Sequence, residues 1–464
     1  MPASLSMTGD TANDAAQVSP ARRDGSTRTT LVLGGRAFWP AVWWADPVRA
    51  ILFIVLPIFC AAAYLNRFNY WTFGASEDFI TSQTFGLGLY SMALLVFGII
   101  VGRLALTRRD MVSLIDADRA ATVLARLGWI TILAYVLLLG TLVTQYEVVL
   151  DLIRGDPSAG SRLRELLGRV PGVTSFIQFG VTYLALASAL VTVAGFRMTT
   201  RRWVMAGTIL GLTFARAVLA SERLALLEGL AAIFVVPVVY RWRPSAWRGG
   251  APFLGGVFVF VAFAAGEYLR SWQYYKGFYD SYGEFIVQRF AGYFSTSINN
   301  GSGAYLLYGE KTPTPEITSG WVTKFPGLGH YFSHGDMNML DRYLSTYANP
   351  EFNNPGGFYS AFLDYHFAIA SAFMIGVGII IGLVHRSFQN KSLIGLVLYP
   401  SVFLGITDLI RVLYVSDTRT LPIFIGAGIV LLAIKPLTVP RDRFLAYGAA
   451  QQHQQPQHAQ PVQP

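Results

Sequence analysis

The feature that most restricts this 464-residue chain is a series of apolar blocks long enough to cross a lipid bilayer. A hydrocarbon core about 30 Å thick needs roughly 20 mainly apolar residues in a helix that rises about 1.5 Å per residue. Ten blocks meet or approach that length: 48–65, 84–106, 127–146, 173–196, 203–219, 224–240, 252–269, 357–384, 392–413 and 421–434. Backbone groups left unpaired in lipid are costly, so each block is expected as a helix. The ninth is expected to kink at Pro400, and the short tenth to gain reach if Lys435 snorkels. The expected fold is an all-α polytopic membrane protein of about ten transmembrane helices, spanning 48–438, with one large outer loop at 271–356.

Composition supports that class. Hydrophobic residues make up 53% and charged residues only 14%, against about 25% charged in soluble domains. The single cysteine, Cys60, excludes a disulfide framework and a cysteine-built metal site. A net charge of +9 would suit nucleic acid or anionic lipid, so its distribution matters. With the N-terminus inside and sides alternating, the inner segments hold 21 of the 36 Lys and Arg but 8 of the 27 acids, or +13 inside against −4 outside. That is the positive-inside bias that orients membrane proteins, and no nucleic-acid surface is needed.

Both termini are therefore expected in the cytoplasm. The N-terminal tail, 1–47, is read as unstructured through about residue 35. The Gln/Pro-rich C-terminal tail, 439–464, is also read as unstructured. The first apolar block starts too far into the chain for a cleavable signal peptide. No internal repeat is visible.

Two outer segments, 147–172 and 271–356, are longer than simple connections and are where function is expected. In the first, Arg162, Arg164 and Arg169 alternate with Leu163, Leu166, Leu167 and Val170. This suits an interfacial helix or a cationic approach for a lipid-linked anion. At the hairpin between blocks five and six, Arg216 and Arg223 either pair with Glu222 or Glu228 or hold an anion. Charge near the bilayer is expensive and calls for one of these explanations.

Block seven ends with Glu267 and Arg270, followed by Trp272, Tyr274, Tyr275, Tyr279, Tyr282 and then Arg289. These aromatics form either an interfacial belt or a platform for sugar rings beside arginines, whose forked guanidinium matches phosphate. His330 and His334 lie four apart with no third ligand in view, so they are read as loop histidines or as a base or substrate contact rather than a metal site. Asp364, near the start of block eight, pairs with Arg270, Arg289 or Arg342, or faces a polar cavity. Asp408 and Arg411, three apart, most simply pair with each other. No P-loop, dinucleotide fingerprint, GxSxG elbow, HExxH or Asp-x-Asp pair is present, which argues against ATP or a nucleotide sugar as direct substrate.

Several stretches resemble the Wzy-type oligosaccharide repeat-unit polymerases of bacteria. They are ARAVLASERLALLE across the hairpin, GEYLRSW at the end of block seven and NPGGFYSAFLDYHFAIA opening block eight, beside the large outer loop. The resemblance covers about residues 48–438, mostly through architecture. It implies a class C glycosyltransferase-like membrane fold in the inner membrane. Its substrates would be undecaprenyl-diphosphate-linked oligosaccharides on the periplasmic side. It makes a chain-length regulator and a flippase of the same pathway candidate partners. The family's outer-loop arginines correspond by position to Arg162, Arg164, Arg270 and Arg289, and its hairpin arginine to Arg223. A related ligase, which uses an Arg and a His in the large loop, is the nearest enzyme alternative and keeps His330 and His334 in view. A flippase or transporter for the same lipid-linked sugar is the alternative from another class.

Glycosyl transfer from a lipid diphosphate requires charge on the leaving group to be met and a hydroxyl proton to be accepted. Arg216, Arg223, Arg270 and Arg289 are the expected diphosphate ligands, with Arg162, Arg164, Arg342 and His330 as further substrate contacts. Asp364 or Glu222, with Glu267 third, is the expected base. No metal or other cofactor is expected if arginines supply the positive charge.

Overall fold

The computed structural model describes residues 30–34, 42–66, 77–106, 111–144, 146–153, 162, 172–219, 223–240, 246–308, 315, 317–323, 339–348, 352–440 and 442–444. It is predominantly helical. In chain order the principal helices begin with α1 Pro47–Asn66, α2 Ser82–Ala105, α3 Ala117–Val143, α4 Tyr146–Ile153, α5 Val173–Val193, α6 Thr200–Leu219 and α7 Arg223–Tyr240. They continue with α8 Ala246–Arg270, α9 Tyr282–Tyr308, α10 Met339–Tyr347, α11 Ser360–Asp364, α12 Phe367–Gln389, α13 Leu393–Thr407 and α14 Thr420–Ile434. Among the described residues six helices are long and apolar enough to cross a membrane: α1, α2, α3, α5, α8 and α12. Three shorter apolar helices, in α7, α13 and α14, accompany them. Helix α6 carries Arg201 and Arg202 in its first turn and Arg216 in its last.

The fold is not wholly helical. Strands β1 Thr30–Gly34, β2 Met111–Asp116 and β3 Leu437–Pro440 form an antiparallel sheet in the order β1-β2-β3. Thr30 lies opposite Asp116, and Leu114 opposite Leu437. The tail expected to be unstructured through residue 35 therefore ends in a paired strand, and β3 runs up to Pro440. Strand β1 alternates inward Leu31 and Leu33 with outward Val32, the period-2 pattern of a half-buried strand. The sheet gathers the N-terminal strand, the α2–α3 connection and the C-terminal strand at one end of the helical body. Asp46 reinforces that end by pairing with Arg103 of α2 at 2.8 Å and capping α1.

Three expected spans have different limits. Block eight is divided: α11 stops at Asp364, and α12 begins only at Phe367 after extended backbone at Tyr365. Block nine ends at Thr407 with Pro400 inside it, and residues 408–413 turn back instead of continuing the helix. Block three starts ten residues early, at Ala117.

The largest correction concerns 271–356. Read as a loop, it contains the 27-residue α9. Its second half, Ser295–Ala304, is buried although rich in Ser, Thr and Asn. Small residues make that possible. Gly301 lies under the Pro355 carbonyl and the Tyr359 ring, and Gly303 under Tyr343 and Phe79. Asn299 donates to the Glu77 carbonyl and accepts from the Phe79 N–H, while Asn300 donates to the carbonyls of Phe352 and Asn354. Buried polar groups thus find backbone partners, and α9 becomes a core helix packed on α1, α10 and α11.

Candidate functional site

The end of the body opposite the sheet collects most of the charged and aromatic groups that the sequence singled out. Helices α8 and α9 form a hairpin there, with a single helical turn, Trp272–Tyr275, between them. Glu267 near the end of α8 and Arg289 of α9 form an ion pair, with side chains only 2% and 3% exposed. Arg289 also donates to the Ser271 hydroxyl at 3.3 Å. Its guanidinium lies 5.2 Å from the Tyr275 ring centroid, 5.6 Å from Phe285 and 5.1 Å from Phe352. Such a cage favours a planar cation. Burial pushes the nearby Tyr279 hydroxyl above its ordinary value, and Tyr275 and Glu284 add to that against the opposing Arg289 charge.

A second arginine stands beside this cage. Gly356, with φ +69, and Gly357 form the turn before α11. Their N–H groups donate to the carbonyls of Arg411 and Leu409 at 3.1 and 3.0 Å. A Cβ at Gly357 would lie 2.6 Å from the Leu409 carbonyl oxygen, so the close approach requires glycine. This contact fixes residues 408–412. Arg411 then pairs with Asp408 at 3.1 Å, donates to the Tyr293 hydroxyl at 3.2 Å and lies 4.3 Å from that ring's centroid. The ring of Tyr293 meets Phe352 edge-on at 5.5 Å. Phe352 and Tyr293 therefore separate two arginines that differ in access, since the Arg411 side chain is 19% exposed.

Further round the same end, Glu228 of α7 is buried and accepts from the Tyr414 hydroxyl. Tyr414 and Thr420 are tied together through the Thr420 hydroxyl and the Tyr414 carbonyl. Arg216 of α6 is also buried.

Asp364 plays an anchoring part. Its carboxylate accepts from the N–H groups of Ile317 and Thr318, the latter at 2.6 Å, and from the Thr318 hydroxyl. As a base it would have to release contacts that hold residues 317–318 against α11.

Glu267 and Arg289 come together, so neither is an open base or an open phosphate ligand in this conformation. Arg162 is exposed and pairs with Asp151 at 3.3 Å. Arg342 is exposed on α10. Arg223 opens α7 and Arg270 closes α8, but their side chains lie outside the described residues, as do Arg164, Glu222, His330 and His334 entirely. Among the described residues no group of three or more His, Cys, Asp or Glu is arranged to hold a metal ion. Asp408 and Arg411 pair as their spacing suggests. The sequence reading did not place them in the site, because only the turn at Gly356 and Gly357 brings them against α9.

No family model, curated protein or solved structure matches the chain.

Proposed function

We propose that this protein is an integral-membrane glycosyltransferase that polymerises undecaprenyl-diphosphate-linked oligosaccharide repeat units. In this reading the chain crosses a bacterial inner membrane ten times, with the sheet in the cytoplasm and the arginine–aromatic end in the periplasm. The observation that carries the reading is the partly open Arg411–Asp408 pair stacked on Tyr293, beside a second arginine already neutralised by Glu267. A cation held rigidly in a poorly hydrated, aromatic-walled site suits a diphosphate leaving group, and the rings suit sugar faces.

Arg411 meets the diphosphate, joined by Arg216, Arg223 and Arg270 from the ends of α6, α7 and α8. The bond from the donor's anomeric carbon to the diphosphate oxygen breaks, and a bond to the acceptor hydroxyl oxygen forms. The hydroxyl proton passes to Asp408, whose Oδ2 is buried and accepts no hydrogen bond among the described residues. Arg289 and Glu267 hold the aromatic wall in place, and Asp364 holds the segment that closes over α11.

The test is the glycan made by a strain lacking the gene. Loss of polymer with single repeat units still delivered to the surface supports a polymerase. Loss of all surface transfer would show a ligase, and units trapped inside a flippase; either overturns the proposal. Complementation with Arg411→Ala or Asp408→Asn is expected to restore less than about a hundredth of the polymer, the scale of losing a preorganised charge or a general base. Protein abundance is expected to remain unchanged.

A further inference from the structure

At the sheet end, far from the arginine–aromatic site, a shallow open cleft lies between α3 and α6. Its lining includes Asp118, Thr122, Arg126, Trp129, Ile130 and Arg202. The Arg201 guanidinium stands 5.6 Å from the Trp129 ring centroid, at the rim of the same cleft. Arg202 is held by its neighbours: its side chain lies 5.4 Å from the Phe196 ring centroid, and its carbonyl accepts from the Tyr183 hydroxyl at 2.9 Å. Three arginines thus face one carboxylate. Arg126, Arg201 and Arg202 form no ion pair among the described residues.

The wall on the α3 side continues as an apolar surface. Trp129, Ile130, Leu133, Val136 and Leu137 are all between 40% and 60% exposed. Trp203 and Val204 extend it on the α6 side at 56% and 62%. A cationic cleft above an apolar, outward-facing surface is complementary to a molecule with an anionic head and hydrocarbon chains. Basic pockets between membrane helices on the cytoplasmic side recognise such head groups, and an indole at the rim suits the interface.

We propose that this cleft binds the head group of an anionic glycerophospholipid. The phosphate sits among Arg126, Arg201 and Arg202, and the acyl chains lie along α3 past Leu133. This site is separate from the proposed glycosyl-transfer site and does not depend on it.

The experiment uses the full-length protein purified in detergent, with native mass spectrometry for retained lipid and thermal unfolding as a second readout. Phosphatidylglycerol, phosphatidylcholine and inorganic phosphate are the probes. Phosphatidylglycerol is expected to be retained and to raise Tm, while phosphatidylcholine and phosphate do neither. Arg126→Gln with Arg202→Gln should lower phosphatidylglycerol retention about thirtyfold, the scale of losing two surface cations. The Arg→Lys pair at both positions should keep most of it. Arg49→Gln, which removes one charge elsewhere at the same end, should have no effect. The proposal is overturned if the Gln pair retains as much phosphatidylglycerol as the unaltered protein, or if Arg49→Gln loses as much as the pair. Equal protection by phosphate alone would show an ion site and not a lipid site, and would overturn it too.

Discussion

At the scale of single residues, two arginines at the same end of the molecule have opposite circumstances. Arg289 is enclosed by Glu267 and three rings. A buried ion pair is a weak source of net stability, but leaving one member alone strands a charge in a dry site. Glu267→Ala is therefore expected to destabilise the protein by about 3–5 kcal/mol. Replacing both residues with apolar side chains of similar size should cost much less. Unfolding by denaturant in micelles checks this, and equal losses in the single and double variants would contradict the pairing. Arg411 keeps partial access, so under the proposed function its replacement should reduce polymer without a comparable loss of stability.

The sequence showed Asp408–Arg411 as a pair because three residues place both on one turn. It did not show Glu267–Arg289, since 22 residues separate them and only the α8–α9 hairpin joins them. Asp364 was legible as a buried carboxylate needing a partner, but among its partners are the backbone N–H groups and the hydroxyl at residues 317–318, which no spacing in the sequence links to it. Asp364→Asn puts donors against those N–H groups. It is expected to free residues 317–323, seen as faster hydrogen exchange there than in α12.

At the scale of elements, the closest helix contact is legible in part. Helix α2 carries Gly98 and Gly102, and α12 carries Gly378 and Gly382, each pair four apart as in small-residue membrane contacts. The structure brings the two pairs together: a Cβ on Gly98 would lie 2.2 Å from the Ile375 carbonyl oxygen, and one on Gly382 would lie 2.3 Å from that of Ile99. The spacing identifies a close-packing face, while the choice of partner helix depends on the whole fold. Gly102→Leu should force α2 and α12 apart and cost at least about 1–3 kcal/mol, the usual scale of overpacking. Gly86→Leu on the same helix meets open space and should be near neutral. Thermal unfolding of both variants distinguishes this from a general intolerance of bulk in α2. Helix α9 was illegible for a related reason. Its buried half is polar, and apolar periodicity, the main signal for a buried helix, is missing where Asn299 and Asn300 bond to backbone instead.

At the scale of the whole molecule, the two ends differ in kind: one gathers a sheet and cationic loops, the other arginine pairs and aromatics. The ordering of the first end can be tested through pH. Asp46 caps α1 by accepting from the N–H groups of Val48 and Arg49 at 3.0 and 3.1 Å, and pairs with Arg103 across to α2. Burial by itself would raise its carboxyl; the hydrogen bond and charge of Arg103, with the Arg49 N–H, outweigh burial and hold it below its ordinary 3.8. A carboxyl lowered in the folded state favours folding above its unfolded value and loses that contribution as pH falls through the folded value. The Asp46→Asn variant keeps an acceptor for the cap but lacks the charge. It should therefore unfold at a lower temperature than the unaltered protein at pH 7. That gap should narrow as the pH is taken below about 4, where the unfolded chain's carboxyl takes up its proton, and close as the pH falls through the lowered folded value. A gap that stays constant down to pH 3, or widens there, would show that Arg103 and Asp46 do not join α1 to α2 through charge.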